Sequence, residues 1–209
     1  MAFDKEFKEA LSELKPSEKD KLILRLLRRD KTLADRLYFE LVGTQSPEER
    51  RTEMEALIKA RVKSMSGAYY SLGWLVMDMR TLSGEITEHV KITKDKFGEV
   101  SLNLLMLNEV LRYNTDRIEK ARMGKSYTMC IYIVARAYKL LLLIKGLHED
   151  LLVDLKEDLE LLGTQIGKSH SLMKTAINNG LDVNWLTTGE IPEDIKQMHA
   201  ELRKNGFLK

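Results

Sequence analysis

Between residues 62 and 121 apolar side chains return at alternating steps of three and four, a period that suits helices and little else. The stripe runs Val62, Met65, Tyr69, Leu72, Val76, Met79, Ile86, Val90, Phe97, Val100, Leu104, Leu107, Leu111, Ile118 and Ala121, broken by Ser83, Thr93 and Asn114. Of its 18 positions 15 are apolar, against 12 of the 42 positions beside it, so the pattern is no by-product of composition. A mean step of 3.5 residues keeps one seam turned towards one neighbouring helix, as in a left-handed coiled coil. Val62, Met65, Tyr69, Leu72, Val76, Met79, Leu104, Leu107 and Leu111 are therefore expected to hold helices together within or between subunits. Asn114, polar on that seam, is expected to select register or oligomeric state at some cost in stability. As one helix the segment would be a rod of about 90 Å. Thr93-Lys94-Asp95-Lys96-Phe97-Gly98 reads as a turn, however, and predicts a helical hairpin; a β-hairpin pairing 90–93 with 100–102 is a lesser alternative.

Upstream, residues 3 to 42 read as three short amphipathic helices. The first carries Phe3, Phe7, Leu11 and Leu14 and ends at Lys15, because the ring of Pro16 disfavours a helical residue before it. Ser17 is expected to cap the second and Asp30 the third, whose stripe of Leu33, Leu37, Leu41 and Val42 closes at Gly43. Ser46-Pro47-Glu48-Glu49 then announces a further helix, with a capping hydroxyl, a preset first dihedral and two acids at the positive end of the dipole. Lys21, Arg25, Arg28, Arg29, Lys31 and Arg36 form the best basic patch. They are interleaved with Glu18, Asp20, Asp30 and Asp35, which predicts a solvated face able to meet an acidic partner, such as the 149–160 face of another copy.

Residues 126 to 144 hold 15 apolar residues in 19, enough to raise a membrane span. Arg136 and Lys139 lie near the middle, and each costs about 2.5 to 3.5 kcal/mol at the centre of a spanning helix. A central helix of a bundle, with both cations reaching a polar edge, is the expectation. Leu147, Leu151, Leu155, Leu159 and Leu162 predict a helix from 147 to 162. Its other face carries Glu149, Asp150, Asp154, Glu157, Asp158 and Glu160, a solvated acidic surface rather than a metal site.

Chemistry is sparse. A chain of 209 residues with 34 Lys and Arg against 32 Asp and Glu buries a core without staples. Cys130, the one cysteine, forms no internal bridge, and the first ten residues have acids and lysines where a secretion leader has an apolar run, so a cytoplasmic location is expected. Two Gly-Lys-Ser triplets, at 124–126 and 167–169, lack the glycine that a phosphate loop needs five positions earlier, and each follows a helix rather than a strand. His89, His148, His170 and His199 are scattered, and Cys130 in an apolar helix reads as inert. No catalytic residue, cofactor, metal ligand or small-molecule substrate is inferred.

One segment carries a pattern of known type. In residues 162–177, Gly163 permits close helix contact, Gly167 is placed for a sharp turn, and Ile166, Met173 and Ala176 would pack inward. The segment resembles a helix-turn-helix of phage-repressor type, and Trp185-Leu186-Thr187-Thr188-Gly189-Glu190 is similar to the tail that closes such domains. The resemblance covers about 30 of the 209 residues. It implies DNA contacts from Lys168, His170, Ser171 and Lys174.

The expected fold is all-α: an N-terminal helical module (1–43), a long heptad-bearing helix, hairpin or coiled coil (46–123), and a C-terminal helical bundle (125–209). The expected function is non-enzymatic protein interaction or scaffolding, by self-association or with a protein partner through the seam. A DNA-binding regulator and a membrane-associated helical protein are the alternatives.

Overall fold

Helix starts in this chain are set by side chains that satisfy free backbone amides. The structure, a computed structural model, describes residues 3–209 apart from the side chain of Met123; Met1 and Ala2, which open the stretch read for a leader and the 1–43 module, lie outside the described residues. Asp4 accepts a hydrogen bond from the Phe7 N–H at 2.7 Å to start α1 (Lys5–Glu13). The second helix, α2 (Pro16–Leu27), begins one residue before the expected Ser17 cap. Pro16 takes the first helical position, where its missing N–H is not needed, and Glu18 accepts from the Lys15 N–H at 2.9 Å. Asp30 caps α3 (Lys31–Leu41) through the Leu33 N–H at 3.0 Å. Ser46 and Glu49 form a reciprocal capping box at the head of α4 (Pro47–Gly67).

The heptad stripe is shared among three helices instead of one rod or two hairpin arms. A first break falls at 68–71, where Ser71 caps α5 (Leu72–Thr93) by accepting from the Trp74 N–H at 3.3 Å. The second falls in the expected turn: Lys94 is left-handed at φ 60°, and Asp95 accepts from the Gly98 N–H at 2.8 Å to open α6 (Lys96–Lys120). The β-hairpin alternative is overturned, since 90–93 and 100–102 are helical.

The apolar segment forms α7 (Met123–Ile144). The helix expected from 147 to 162 is instead a 3-10 segment, Glu149–Leu155, followed by α8 (Lys156–Lys168). Gly163 does not end it. A Cβ there would meet Thr187 Cγ2 at 2.6 Å and Leu186 Cβ at 3.0 Å, so glycine serves the close approach of α10 (Asn184–Thr188) rather than a stop. Between them lies α9 (His170–Asn178), and α11 (Ile195–Lys204) closes the chain. Among the described residues these are eleven α-helices and no strand: the protein is all-α.

The chain divides into two compact units, residues up to 45 with 91–93, and residues 46–90 with 94–209. In the second, α6 is the central helix. It lies against α4, α7 and α8, while α7 meets α9 and α11, and α8 meets α10. Buried Leu102, Leu104, Met106, Leu107, Val110 and Leu111 point from more than one of its faces, as a helix surrounded by others requires. The helices α4 and α6 run parallel and are pinned at both ends. Arg51 pairs with Asp95 at 2.6 Å and stacks over Phe97, and Ser66 meets Asn114 at 2.8 Å.

Candidate interaction surface

The seam closes inside the chain. Val62, Met79, Leu104, Leu107, Leu111 and Asn114 have no exposed surface, and Leu72 and Val76 retain 4% and 2%. Met65 and Tyr69 are half-buried against the same core. Of the two expectations for the seam, contact within the chain accounts for its buried members: side chains already removed from water by helices of their own chain have no apolar area left for a second copy, and only Met65 and Tyr69 keep part of theirs.

The open apolar surface lies elsewhere. Helices α1, α2 and α3 contain no buried residue. Nine of the nineteen large apolar side chains exposed among the described residues fall in residues 3–45: Phe3, Phe7, Ile23, Leu24, Leu26, Leu33, Tyr38, Leu41 and Val42. The other ten are spread over the remaining 164 positions, so the concentration is local. The reason is size: about 40 residues in short helices hold too little surface to cover one another. A groove of about 500 Å³ is left along α2 and α3, lined by Ile23, Leu24, Leu27, Leu37, Tyr38 and Leu41. Tyr38 and Leu41 are 67% and 79% exposed. Ion pairs decorate the solvent side, Lys5 with Glu9 at 3.5 Å and Arg36 with Glu40 at 2.6 Å. The spacing of these stripes was legible in the sequence; that α1, α2 and α3 do not bury them against one another was not.

The segment that resembles a helix-turn-helix forms α8 and α9 with Ser169 alone between them, so the turn sits at Ser169 and Gly167 is helical. Ile166 and Ala176 are buried and Met173 half-buried. Lys168, His170 and Lys174 are exposed and Ser171 is half-buried. Glu119, at the end of α6, accepts from the Ser169 hydroxyl and from the Ser171 N–H at 3.1 Å. A carboxylate thus already occupies the positive end of α9, where a DNA phosphate would be drawn. On the other side α9 packs Leu172, Thr175 and Ala176 inward and lies against α7. His170, Ser171 and Lys174 line a pocket of about 420 Å³ with Tyr127 and Cys130. Burial pushes the Cys130 thiol up to about 11. In the expected closing tail, Leu186 is buried and Trp185 meets Tyr138 edge-to-face at 6.2 Å.

Residues 124–144 of α7 are long and apolar enough to cross a membrane, and 56% of the most apolar window is buried among neighbouring helices. Among the described residues, no group of three or more His, Cys, Asp or Glu side chains is placed to hold a metal ion. The fold and this surface define an all-α protein with an uncovered N-terminal apolar module. Comparisons with known protein families, with curated proteins and with solved structures give no match.

Proposed function

We propose that the chain is a non-enzymatic helical assembly protein whose N-terminal module joins it to a second copy. The observation that carries this reading is the module itself: three capped helices with no buried residue and a continuous apolar groove. An exposed apolar face of this kind marks an association surface, because burying each Leu or Ile side chain contributes about 1.5 to 3 kcal/mol. Charge favours a copy of the same chain as the occupant. Glu18 and Asp20, interleaved with Lys19 and Lys21, lie in the first half of α2, and Arg25, Arg28 and Arg29 lie at and just past its end. Two α2 helices packed antiparallel set Glu18 and Asp20 of each copy against Arg25, Arg28 and Arg29 of the other, and the two apolar grooves against each other about a two-fold axis.

Light scattering on the full chain tests this reading. The wild type is expected to be a dimer at micromolar concentration. Leu24→Asp with Leu41→Asp is expected to give a monomer of unchanged helical content, since neither side chain is buried in its own chain. A monomeric wild type sinks the proposal. Asp154→Lys with Glu157→Lys separates the alternative in which the basic module meets the acidic 149–160 face: loss of the dimer there would move the contact to that face.

The DNA-binding alternative draws support from three exposed polar side chains, Lys168, His170 and Lys174, and is opposed by the Glu119 carboxylate at the same helix end. The membrane alternative draws support only from the length and composition of α7.

A further inference from the structure

The most apolar long helix of the chain, α7, carries Arg136 and Lys139, and the packing gives both a common destination. They reach a cleft of about 570 Å³ walled by α5, α7 and α11, where Arg80 enters from α5 and Arg203 from α11. Four cations from three helices converge there, joined by Lys209, and no Asp or Glu side chain lines the cleft. Arg80 and Arg136 stand over the ring of Tyr132, their guanidinium carbons 5.8 and 5.4 Å from its centroid. Among the described residues neither has an ion-pair partner. Lys139 pairs loosely with Glu99 at 3.7 Å, and Arg203 donates to the Leu208 carbonyl at 2.5 Å.

The gathered charge is costly without a ligand, because like charges over one ring repel. An anion with several acceptor oxygens relieves it, and guanidinium groups match phosphate oxygens through paired hydrogen bonds that a halide cannot accept. Ile131 and Ala135 supply an apolar wall for the uncharged part of such a molecule. The volume falls within the range of roughly 300 to 1,000 Å³ of small-molecule sites. The cations converge on one concavity instead of following a track, which favours a compact ligand over an extended nucleic-acid strand.

We infer that the cleft between α5, α7 and α11 binds a phosphate-bearing small molecule of nucleotide size, with Arg80 and Arg136 as its anion-binding pair. The inference is independent of the N-terminal module.

Calorimetric titration of the full chain with ATP, inorganic pyrophosphate and an oligothymidylate tests it. One ATP site per chain is expected, with pyrophosphate weaker. Arg80→Gln combined with Arg136→Gln is expected to weaken ATP about tenfold or more, as loss of charge-assisted hydrogen bonds requires. Lys120→Gln, on α6 and outside the cleft, is expected to leave the affinity unchanged. If the double variant loses helical content, Arg80→Gln decides alone: its side chain is exposed, weaker ATP binding supports the site and unchanged binding overturns it. Absence of binding by both ATP and pyrophosphate, equal sensitivity to Lys120→Gln, or an oligothymidylate that binds more tightly than ATP each overturns the inference.

Discussion

The side-chain amide of Asn114 donates to the hydroxyl of Ser66 at 2.8 Å, tying α6 to α4 inside the core. The same amide donates to the Val110 carbonyl at 2.9 Å, and Arg117 donates to both the Asn114 side-chain oxygen and the Ser66 carbonyl at 2.7 Å. The Arg117 guanidinium also covers the ring of Tyr69 at 4.3 Å. A polar residue on the heptad seam thus finds its hydrogen-bond partners within its own chain.

Removing one member of this network strands the others. Asn114→Leu is expected to destabilise the chain by about 1 to 3 kcal/mol, because the buried Ser66 hydroxyl loses its partner and Arg117 keeps only the Ser66 carbonyl. Ser66→Ala should cost about 1 kcal/mol, and the double variant less than the two together. Urea unfolding of the four proteins measures the coupling, and strict additivity would show that the hydrogen bonds act independently.

Two glycines should respond in opposite directions. Gly163→Ala forces a Cβ against Thr187 Cγ2 and Leu186 Cβ, so α10 has to move, at a cost of about 1 to 3 kcal/mol. Gly84 lies exposed within α5, where an added Cβ would meet nothing within 4 Å, and Gly84→Ala should stabilise by about 0.5 to 1 kcal/mol. Thermal melts of both variants check the pair.

The Cys130 thiol is 1% exposed, and with its pKa near 11 only about one molecule in a thousand carries a thiolate at pH 8. Ellman's reagent is expected to react with the native chain only as fast as the chain opens, and at once in denaturant. Rapid labelling of the native protein would contradict the burial.

Histidines 89 and 199 make stability depend on pH. Burial lowers the pKa of both, assisted at His89 by the charge of Arg50 and at His199 by that of Arg203. The unfolded chain therefore binds more protons than the native one below the ordinary value of 6.5. Stability should be full above that pH and fall as the pH drops from it towards the lowered native values. Burial raises the pKa of Asp158, which acts in the opposite sense at lower pH. Melting temperatures of the wild type and of His89→Gln with His199→Gln, compared from neutral pH down to pH about 5.5, should show a shallower slope in the variant.

How far the sequence could be read differs from element to element. The turn at Lys94 and Asp95 was visible because Thr93 breaks the stripe and a charged run with Gly98 follows it. The break at 68–71 was not, since Tyr69 and Leu72 keep the apolar spacing through it. A close helix contact at Gly163 was part of the helix-turn-helix resemblance, but that the helix in contact is α10, some twenty residues on, was not visible in the sequence. The cations Arg136 and Lys139 in an apolar helix signalled a polar edge, but Arg80 and Arg203 gave no sign of sharing it, being 56 to 59 and 64 to 67 residues away.

Periodicity, caps and helix breakers by themselves determined that the chain is helical and which face of each helix is apolar, because those properties depend on neighbours three and four residues away. Tertiary structure alone decided which faces are covered. It sealed the long seam within one chain, left the faces of α1 to α3 open, and drew Arg80, Arg136, Lys139 and Arg203 into one cleft. Burial and convergent charge depend on contacts between residues far apart in the chain, and local spacing carries no record of them.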